Sequence, residues 1–482
     1  MATQYEAVIG LEVHAQLATR TKMFCGCSTS FGAPPNTNVC PVCLGMPGAL
    51  PVPNRQAIEL AVRAGLSVGC TVRGTSRFSR KNYFYPDLSK GYQISQFDLP
   101  LNEHGSLTIT ANGQTKTVGV IRIHVEEDAA KNLHGVGGGD ATLVDFNRAG
   151  APLIETVSAP DMRSADEAVA YLEALRDIFM FAGVNDGNLE EGSFRCDANV
   201  SIRPVGQEKL GTRTELKNIN SFKFVKKAIE LEIARQEAVL SGGGKIVQET
   251  RGYSDARGET FSMRSKEEAH DYRYFDDPDL PPLEIDDAWL ARAKAALPES
   301  LEARRARWQK EWGLTAYDAG VLTGHPEIAR YFEATVTSQR LKPGAGKKVA
   351  NFIQAEVLGL VTTNGLEARF PVTSDALAEL LALIEDETIN GKIAKEVVAE
   401  MARTGKGAKK IVDEKGLAQV KDTGAIEKAI RDVVLAHPKE LASFKAGKVA
   451  VRGFFVGQVM RATKGQANPA VVNEILDKVL AE

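Results

Sequence analysis

Residues 7–17 read Ala7-Val8-Ile9-Gly10-Leu11-Glu12-Val13-His14-Ala15-Gln16-Leu17. Every second residue from Ala7 to Leu17 is apolar, and most of the residues between them are polar or glycine. Because successive side chains of a β-strand point to opposite faces, this alternation predicts a strand with one core face and one polar face. Glu12 and His14 would then lie side by side on the polar face.

The polar face of this strand has two interpretations. A carboxylate beside an imidazole can be half of a site for Mg²⁺ or Mn²⁺. The same pattern is typical of the solvent-facing side of an ordinary antiparallel strand. Later segments with strand-like alternation also carry acids, at Glu126-Glu127-Asp128, Glu155 and Asp197. Adjacent carboxylates repel unless a cation or solvent relieves them, so these acids are candidates for the missing half.

The length and composition predict a multidomain globular protein. The 482 residues are too many for one hydrophobic core, and the chain is 43% hydrophobic and 25% charged. It has no run of 18 apolar residues, and its first residues have no cationic and apolar leader pattern. We therefore expect a cytoplasmic protein that neither spans a membrane nor is secreted.

Charge is distributed unevenly along the chain. Residues 406–482 contain 14 Lys and Arg against 9 Asp and Glu, a net charge of +5, whereas the remainder carries −8. A basic C-terminal module on an acidic body suits the binding of a polyanion. Modules that bind nothing charged can carry a similar excess.

Four of the six cysteines lie within 19 residues, as Cys25, Cys27, Cys40 and Cys43. Disulfides are not expected in a protein without a secretory leader, and four thiolates at this spacing fit a tetrahedral Zn²⁺. Such a site has no open coordination position, so we expect it to be structural. The alternative is four unrelated cysteines.

A basic and aromatic stretch follows, containing Arg80, Lys81, Tyr83 and Tyr85. Cationic side chains interleaved with aromatic rings suit phosphate contacts combined with stacking on a base. A β-strand with a polar face and buried tyrosines would show the same pattern.

The periodicity changes near residue 288. Before it, alternating segments are interrupted by amphipathic helices, which predicts an α+β domain with an antiparallel sheet and a carboxylate-rich face. After it, helical patterns dominate. Near the C-terminus, Asn468 and Pro469 predict a helix start, and Arg461 and Lys464 precede it. A helix N-terminus with nearby cations is a natural phosphate-binding corner.

Seven segments together resemble one family. They are IGLEVH (9–14), RKNYFYPD (80–87), YQISQ (92–96), HVEEDA (124–129), PLIE (152–155), RCDAN (195–199), and GQ (457–458) with KGQANP (464–469). The chain resembles, over essentially its whole length, the B subunits of the aspartyl/glutamyl-tRNA(Asn/Gln) amidotransferases, the GatB family. The resemblance implies a cradle domain of the glutamine-synthetase/guanido-kinase type at 1–294, a helical domain at 295–405 and a small helical tRNA-binding tail domain at 406–482.

The resemblance also implies the chemistry. The family uses ATP and glutamine to convert Glu-tRNA(Gln) or Asp-tRNA(Asn) to the amide, through an acyl phosphate. It is a carbon–nitrogen ligase with glutamine as amido donor (EC 6.3.5.-). Carried over to this sequence, the implied Mg²⁺ ligands are Glu12, His14, Glu127 and Glu155, followed by Glu126, Asp197 and Glu215. The implied catalytic residues are Glu12, His14, Glu126, Glu127 and Glu155.

The remaining implied sites concern nucleotide and tRNA. Arg80, Lys81, Tyr83 and Tyr85 are the residues implied on the nucleotide side, and Arg461, Lys464 and Asn468 those implied to contact tRNA. Strict alternation places Glu126, not Glu127, on the face of His124. We therefore expect the strand to end or bulge there if Glu127 is a ligand.

Partners follow from what the sequence lacks. It contains no G-x-S-x-G elbow, so the resemblance implies that an amidase (A) subunit supplies ammonia, with a small C subunit completing a heterotrimer. Two alternatives remain open. One is a stand-alone ligase that uses free ammonia, and the other is a non-catalytic tRNA-binding scaffold subunit with a zinc loop.

Overall fold

The computed structural model describes residues 4–135, 141–265, 272–419, 423–463, 467 and 469–482. The chain divides into two compact units, Met1–Leu301 and Glu302–Glu482. The predicted domain boundaries after residues 294 and 405 stay predictions. Within the described residues, no helix is both long and apolar enough to cross a membrane.

The first unit is a mixed α/β unit built on a large sheet. Its described strands are β1 (Tyr5–Gln16), β2 (Thr71–Val72), β3 (Thr75–Ser76), β4 (Ser79–Asn82), β5 (Tyr92–Ser95), β6 (Asn102–Ala111), β7 (Gln114–Glu127), β8 (Lys131–His134), β9 (Thr142–Asp145), β10 (Pro152–Ser158), β11 (Phe194–Pro204), β12 (Thr214–Ile219), β13 (Glu249–Ser254), β14 (Glu259–Ser265), β15 (Phe275–Asp276) and β16 (Leu283–Glu284). Its described helices are α1 (Arg55–Ser67), α2 (Ala165–Phe181), α3 (Phe222–Ser241) and α4 (Asp287–Ala295).

The large sheet has nine strands in the order β14-β13-β12-β11-β1-β10-β7-β6-β2. β1 lies at its centre, paired antiparallel with β10 and β11. The predicted antiparallel sheet is confirmed for all of its pairs except β12 and β13, which run parallel. A parallel pair needs a crossover connection, and α3 lies in the chain between these two strands.

The alternation predicted for β1 is confirmed. Ile9, Leu11, Val13 and Ala15 are buried, whereas Gly10, Glu12, His14 and Gln16 are partly exposed. The buried face shares one apolar core with α1, α2 and α3, which pack on the sheet. The other face of the sheet carries the partly exposed polar residues of β1.

Side chains cap the starts of two helices in this unit. Asn54 caps α1 by accepting hydrogen bonds from the backbone N–H groups of residues 56 and 57. Ser164 caps α2 by accepting from the N–H of Glu167, and α2 ends before Gly183, whose φ is +67°. In a complete capping box, the Glu167 carboxylate would accept a hydrogen bond from the backbone N–H of Ser164. Here it accepts one from the N–H of Arg163 instead.

Of the two expectations for Glu126 and Glu127, the strand end is found, because β7 ends at Glu127, and the bulge is not. β7 pairs regularly with β10 through Glu127, which lies opposite Pro152, and the register shifts only between Val157 and Ser158. Strict alternation therefore holds at the end of β7. Glu126 shares the face of His124, and Glu127 points to the opposite side.

The second unit is mostly helical. Its described helices are α5 (Leu301–Trp312), α6 (Ala316–Leu322), α7 (Pro326–Val336), α8 (Gly346–Phe352), α9 (Ser374–Glu385), α10 (Gly391–Thr404), α11 (Ala408–Lys415), α12 (Thr423–Ala436), α13 (Pro438–Lys445), α14 (Val451–Ala462) and α15 (Pro469–Ala481). A π-helical turn (Ile353–Val357) and a 3-10 turn (Leu358–Leu360) follow α8.

A hairpin interrupts the predicted all-helical region. β17 (Thr362–Asn364) and β18 (Glu367–Arg369) pair antiparallel, directly after the helical turns that end at Leu360. Gly365 and Leu366 form the two-residue turn, and Gly365 has φ +59°. Glycine at the first position of a two-residue hairpin turn supplies this positive φ without steric cost.

The last four helices share their own apolar core. Buried side chains of α12, α14 and α15 form it, including Ile430, Phe455 and Leu476, and α13 packs against it through Leu441 and Phe444. α11 packs instead against α9 and α10.

Candidate active site

One ionisable cluster lies at the middle of the polar sheet face. The Nε2 atom of His14 is 3.3 Å from a Glu155 carboxylate oxygen and 3.7 Å from a Glu126 oxygen. The Nε2 atom of His124 is 3.5 Å from Glu155 and 3.7 Å from Glu126. Two carboxylates and two imidazoles therefore converge on one small volume.

Strand register explains this convergence. His14 on β1 lies directly opposite Glu155 on β10, and Glu155 lies opposite His124 on β7. On the other side of β1, His14 lies opposite Arg195 on β11. These residues form one row across four adjacent strands, in which cross-strand Cβ atoms are about 5 Å apart.

The cluster favours charged side chains. Burial would raise the pKa of Glu155, but His124, His14 and Lys81 hold it well below its ordinary value. Burial would lower the pKa of His14, but its hydrogen bond to Glu155 and the charges of Glu155 and Glu126 raise it. The carboxylates are therefore ionised and available as ligands.

The donor set fits a divalent cation. One ligand atom each from His14, Glu126 and Glu155 lies within 4.8 Å of the others. Two carboxylates and an imidazole are donors that Mg²⁺ or Mn²⁺ accepts. Glu126 rather than Glu127 belongs to this group, because β7 keeps its alternation.

A second acidic group lies beside the first. Glu12 is opposite Asp197 in the sheet, and Asn199 on the same strand as Asp197 donates a 2.8 Å hydrogen bond to Glu12. Lys217 contacts both Asp197 at 2.5 Å and Glu215 at 3.5 Å. The polar face thus gathers the predicted ligands into two groups, one around His14 and one around Lys217.

Glu127 lies apart from both groups. Its carboxylate contacts Lys90 and accepts a 2.9 Å hydrogen bond from the N–H of Ile94. It lines a cavity of about 250 Å³, which Lys22, Cys43 and Arg80 also line. The structure does not bring Glu127 into the His14 cluster.

The basic and aromatic residues fall into different environments. Arg80 is held by Asp277 and Asp279, at 2.8 Å each, and stacks over the Tyr92 ring. Lys81 lies 4.8 Å from the Tyr272 ring centre. Burial lowers the pKa of Lys81, but nearby Tyr274, Glu126 and Glu155 raise it above its ordinary value.

Lys81 is therefore the member of this set that belongs to the His14 cluster. Tyr83 is partly buried, and its ring centre is 5.8 Å from that of Tyr272. Tyr85 is 51% exposed. The Lys81 amine is 5.8 Å from the Tyr83 ring centre, and the Tyr83 and Tyr85 ring centres are 6.5 Å apart. These three predicted residues therefore lie together, whereas Arg80 is paired with the two aspartates.

The four clustered cysteines converge as predicted. Their sulfur atoms lie within 4.8 Å of one another, and those of Cys40 and Cys43 are 3.9 Å apart. Zinc–sulfur bonds of about 2.3 Å in a tetrahedron give sulfur separations of about 3.8 Å. Hydrogen bonding from Cys25 and the charge of Lys22 hold the pKa of Cys43 below its ordinary value. These residues fit a structural zinc.

The predicted tRNA contacts are only partly described. Arg461 lies in the last turn of α14. Lys464 and Asn468 lie outside the described residues. Pro469 begins α15, as the sequence predicted.

Sequence reasoning missed three charged residues of the polar face. His124, Arg195 and Lys217 each stand two positions from a predicted acid, at Glu126, Asp197 and Glu215. Two-residue spacing in a strand places side chains on one face, so the signal was present. It pointed to each strand separately and not to the neighbours that the sheet assembles.

Two family models match the chain. A model described as the GatB/GatE catalytic domain matches residues 7–291, and one described as the GatB domain matches residues 330–480. The first includes the whole polar sheet face and the cysteine cluster. The first unit is accordingly a domain of the GatB/GatE catalytic class.

Curated relatives match over their full length. The B subunit of the aspartyl/glutamyl-tRNA(Asn/Gln) amidotransferase from Geobacter sp. (strain M21) is 58% identical over 480 residues, which is 99% of each chain. The proteins of the same name from Geobacter sulfurreducens and Myxococcus xanthus are 56% and 54% identical over 481 residues. These two matches cover 99% and 100% of this chain, respectively, and 99% of each relative. The chain belongs to the family of aspartyl/glutamyl-tRNA(Asn/Gln) amidotransferase B subunits.

Proposed function

We propose that this chain is the subunit of a tRNA-dependent amidotransferase that activates the side-chain carboxylate of Glu-tRNA(Gln), Asp-tRNA(Asn) or both. The relatives' names and the family membership support the general role. The observation that carries the catalytic assignment is the convergence of His14, Glu126 and Glu155 on one cation-sized volume.

The reaction requires activation because a carboxylate has no leaving group. In the proposed first step, a carboxylate oxygen attacks the γ-phosphorus of ATP, the bond to the bridging oxygen breaks, and ADP leaves. In the second, ammonia attacks the acyl carbon, orthophosphate leaves, and the amide loses a proton to solvent or to a nearby base. Such phosphoryl transfer depends mainly on positioning and charge stabilisation, which a fixed array of ionised side chains provides.

The polar face supplies the candidate cation ligands. His14, Glu126 and Glu155 would hold one Mg²⁺, and Glu12, Asp197 and Glu215 a second. Bound there, Mg²⁺ would supply charge neutralisation for phosphate and carboxylate oxygens. Glu127 was an expected ligand, but its contacts with Lys90 and Ile94 favour a role in fixing the neighbouring cavity wall instead.

The nucleotide side is assigned to the β4 region. Lys81, which stays charged beside Glu126 and Glu155, is suited to contact phosphate. Arg80 is already paired with two aspartates, so it is better placed to fix β4 than to bind ligand. Tyr83 and Tyr85 can present ring faces to a base.

Ammonia, tRNA and zinc complete the proposal. An amidase (A) subunit would hydrolyse glutamine and supply ammonia, with a small C subunit in a heterotrimer. The first unit would correspond to the glutamine-synthetase/guanido-kinase type of cradle, and the C-terminal helices would bind tRNA. The cysteine cluster would hold a structural Zn²⁺. A cytoplasmic location stays a prediction.

Transamidation by the reconstituted complex tests the function. Wild-type complex with misacylated tRNA, glutamine and ATP should form amidated tRNA and release ADP in equal amounts, and omitting ATP should abolish the product. A non-catalytic scaffold predicts instead that Glu155→Ala leaves ATP consumption intact. ATP consumption that survives Glu155→Ala and Glu126→Ala alike would contradict the proposal.

A further inference from the structure

Arg195 occupies an unusual position on the polar face. It lies on β11 directly opposite His14, and two residues before Asp197 on the same face. Cross-strand neighbours are about 5 Å apart and same-face neighbours along a strand about 7 Å apart. The backbone of Arg195 therefore lies next to both His14 and Asp197, and its side chain, which is 33% exposed, extends to Asp128.

An ion pair with Asp128 holds one nitrogen of the Arg195 guanidinium. Its NH2 nitrogen is 3.0 Å from an oxygen of Asp128, whose side chain is buried. Asp128 is itself held by a 2.9 Å hydrogen bond from Gln16 and lies 3.6 Å from Arg148. A guanidinium has five N–H donors, and in the described part of the chain Asp128 is the acceptor found for Arg195. The remaining N–H groups of this partly exposed guanidinium can therefore donate to a ligand.

Two other cationic side chains of this region, Lys217 and Arg148, already have protein partners. Lys217 is shared by Asp197 and Glu215. Arg148, the second arginine beside Asp128, donates hydrogen bonds from its guanidinium to the backbone carbonyls of residues 129 and 130. Arg195 therefore combines a position beside the carboxylate clusters with N–H groups available to a ligand.

We infer that Arg195 contacts the phosphoryl group as it passes from ATP to the aminoacyl carboxylate. The inference rests on the proposed function and deepens it. Charge on the transferred phosphoryl is spread over three oxygens, and a planar fork can donate to two of them at once. Asp128 pre-orients the fork, so little reorganisation is needed when the charge develops.

The test compares Arg195→Gln and Arg195→Lys with Arg148→Gln in the complete complex. The measurements are kcat and KM for ATP in transamidation, and the Kd of ADP in the presence of Mg²⁺. Arg195→Gln should lower kcat by about 100-fold or more, the scale of losing one preorganised donor to a transition-state charge. ADP lacks the transferred group, so its Kd should change less than about threefold.

Arg195→Lys guards against misfolding of the glutamine variant. It keeps the positive charge but replaces the fork with a point charge, so it should recover only part of the rate. Arg148→Gln is the matched control, because it removes the other arginine beside Asp128. Its kcat should stay within about threefold of wild type.

Three results would overturn the inference. They are a near wild-type kcat for Arg195→Gln, full recovery with Arg195→Lys, and an equal loss with Arg148→Gln, which would assign the effect to Asp128. Wild-type complex that forms amide without consuming ATP would overturn the proposed function together with this inference. An ATP-dependent wild type with an active Arg195→Gln variant would overturn this inference alone.

Discussion

His14 and Leu11 lie three positions apart on one strand, yet they contribute to different properties of the molecule. Leu11 is buried in the core beneath the sheet, and His14 contacts two carboxylates above it. A side chain on the first face contributes stability by burial, whereas one on the second contributes charge and ligand atoms. Substitutions on the two faces should therefore fail in different ways.

Replacing a cluster residue should remove activity selectively. His14→Ala and Glu155→Ala should each lower ATP-dependent transamidation by at least about 100-fold, because the transferred phosphoryl loses charge stabilisation. Amidated tRNA and ADP formed by the complex are the measured quantities. Glutamine hydrolysis by the partner amidase should persist at its basal level.

Leu11→Ala serves as the control for strand integrity. Truncating this buried side chain should lower the free energy of unfolding by about 2–5 kcal/mol through the cavity it leaves. The folded fraction should keep its activity. If His14→Ala folds normally and amidates tRNA near the wild-type rate, the assignment of His14 to the active site is wrong.

At the scale of single elements, the cysteine loop depends on a group that secondary structure does not supply. The segment from Cys25 to Cys43 forms no long helix or strand, and the sulfur atoms of its four cysteines lie within 4.8 Å of one another. Metal binding by such a loop is coupled to its folding.

Cys40→Ser should therefore release zinc and lower the melting temperature. Cys70→Ser makes the same chemical change at a buried cysteine outside the cluster, and it should keep one zinc per chain. Metal analysis of the purified proteins and thermal unfolding check both expectations. Wild-type protein prepared without chelators and found free of zinc would contradict the structural zinc site.

Helix α6 has a capping box whose stability contribution should depend on pH. Asp318 accepts hydrogen bonds from Thr315, Gln354 and Lys347. Burial would raise the pKa of Asp318, but these contacts hold it well below its ordinary value. A folded-state pKa below the unfolded value gives stability that is present above the unfolded value, about pH 4, and lost as pH falls.

Asp318→Asn should accordingly destabilise the second unit by about 2 kcal/mol at pH 7. Below about pH 4 the difference from wild type should shrink, because the Asp318 carboxylate of the unfolded wild-type chain takes up a proton while that of the folded chain stays ionised. Asp375→Asn removes an exposed ion pair with Arg340, which solvent screens, so its effect should be smaller than that of Asp318→Asn at every pH. Urea unfolding across pH 3–7 measures both variants, and a difference independent of pH would contradict the expectation.

At the scale of the whole chain, the C-terminal helices can be removed as a group. α12, α14 and α15 share a core, whereas α11 packs on α9 and α10. A truncation that begins at residue 423 therefore keeps α11 with its neighbours, and one that begins at residue 406 does not.

Deleting residues 423–482 should raise the KM for charged tRNA and flatten its dependence on salt, because cationic contacts to phosphates are lost. The KM for ATP should change little. Transamidation rates at several salt concentrations provide the measurement. Unaltered tRNA dependence in the truncated complex would show that the net charge of +3 on residues 423–482 is incidental.

Features that depend on near neighbours along the chain were predictable from the sequence alone. Alternation in residues 7–17 identified both faces of β1, the spacing of four cysteines identified their cluster, and Pro469 marked the start of the last helix. Each of these signals lies within a short stretch of the chain. Over such a stretch, the geometry of the backbone determines which side chains lie on the same face. A pattern of that range can be read without knowing the fold.

The choice of neighbouring strands, in contrast, came from the tertiary structure. His14 and Glu155 lie far apart in the chain, and they meet because β10 pairs with β1. The pairing of β7 with β10 brought the face that carries His124 and Glu126 to the cluster, and that of β11 with β1 brought Arg195 to its edge. Sheet order and register result from the packing of the whole core, since a one-residue shift would exchange the two faces of a strand. No local pattern contains that information.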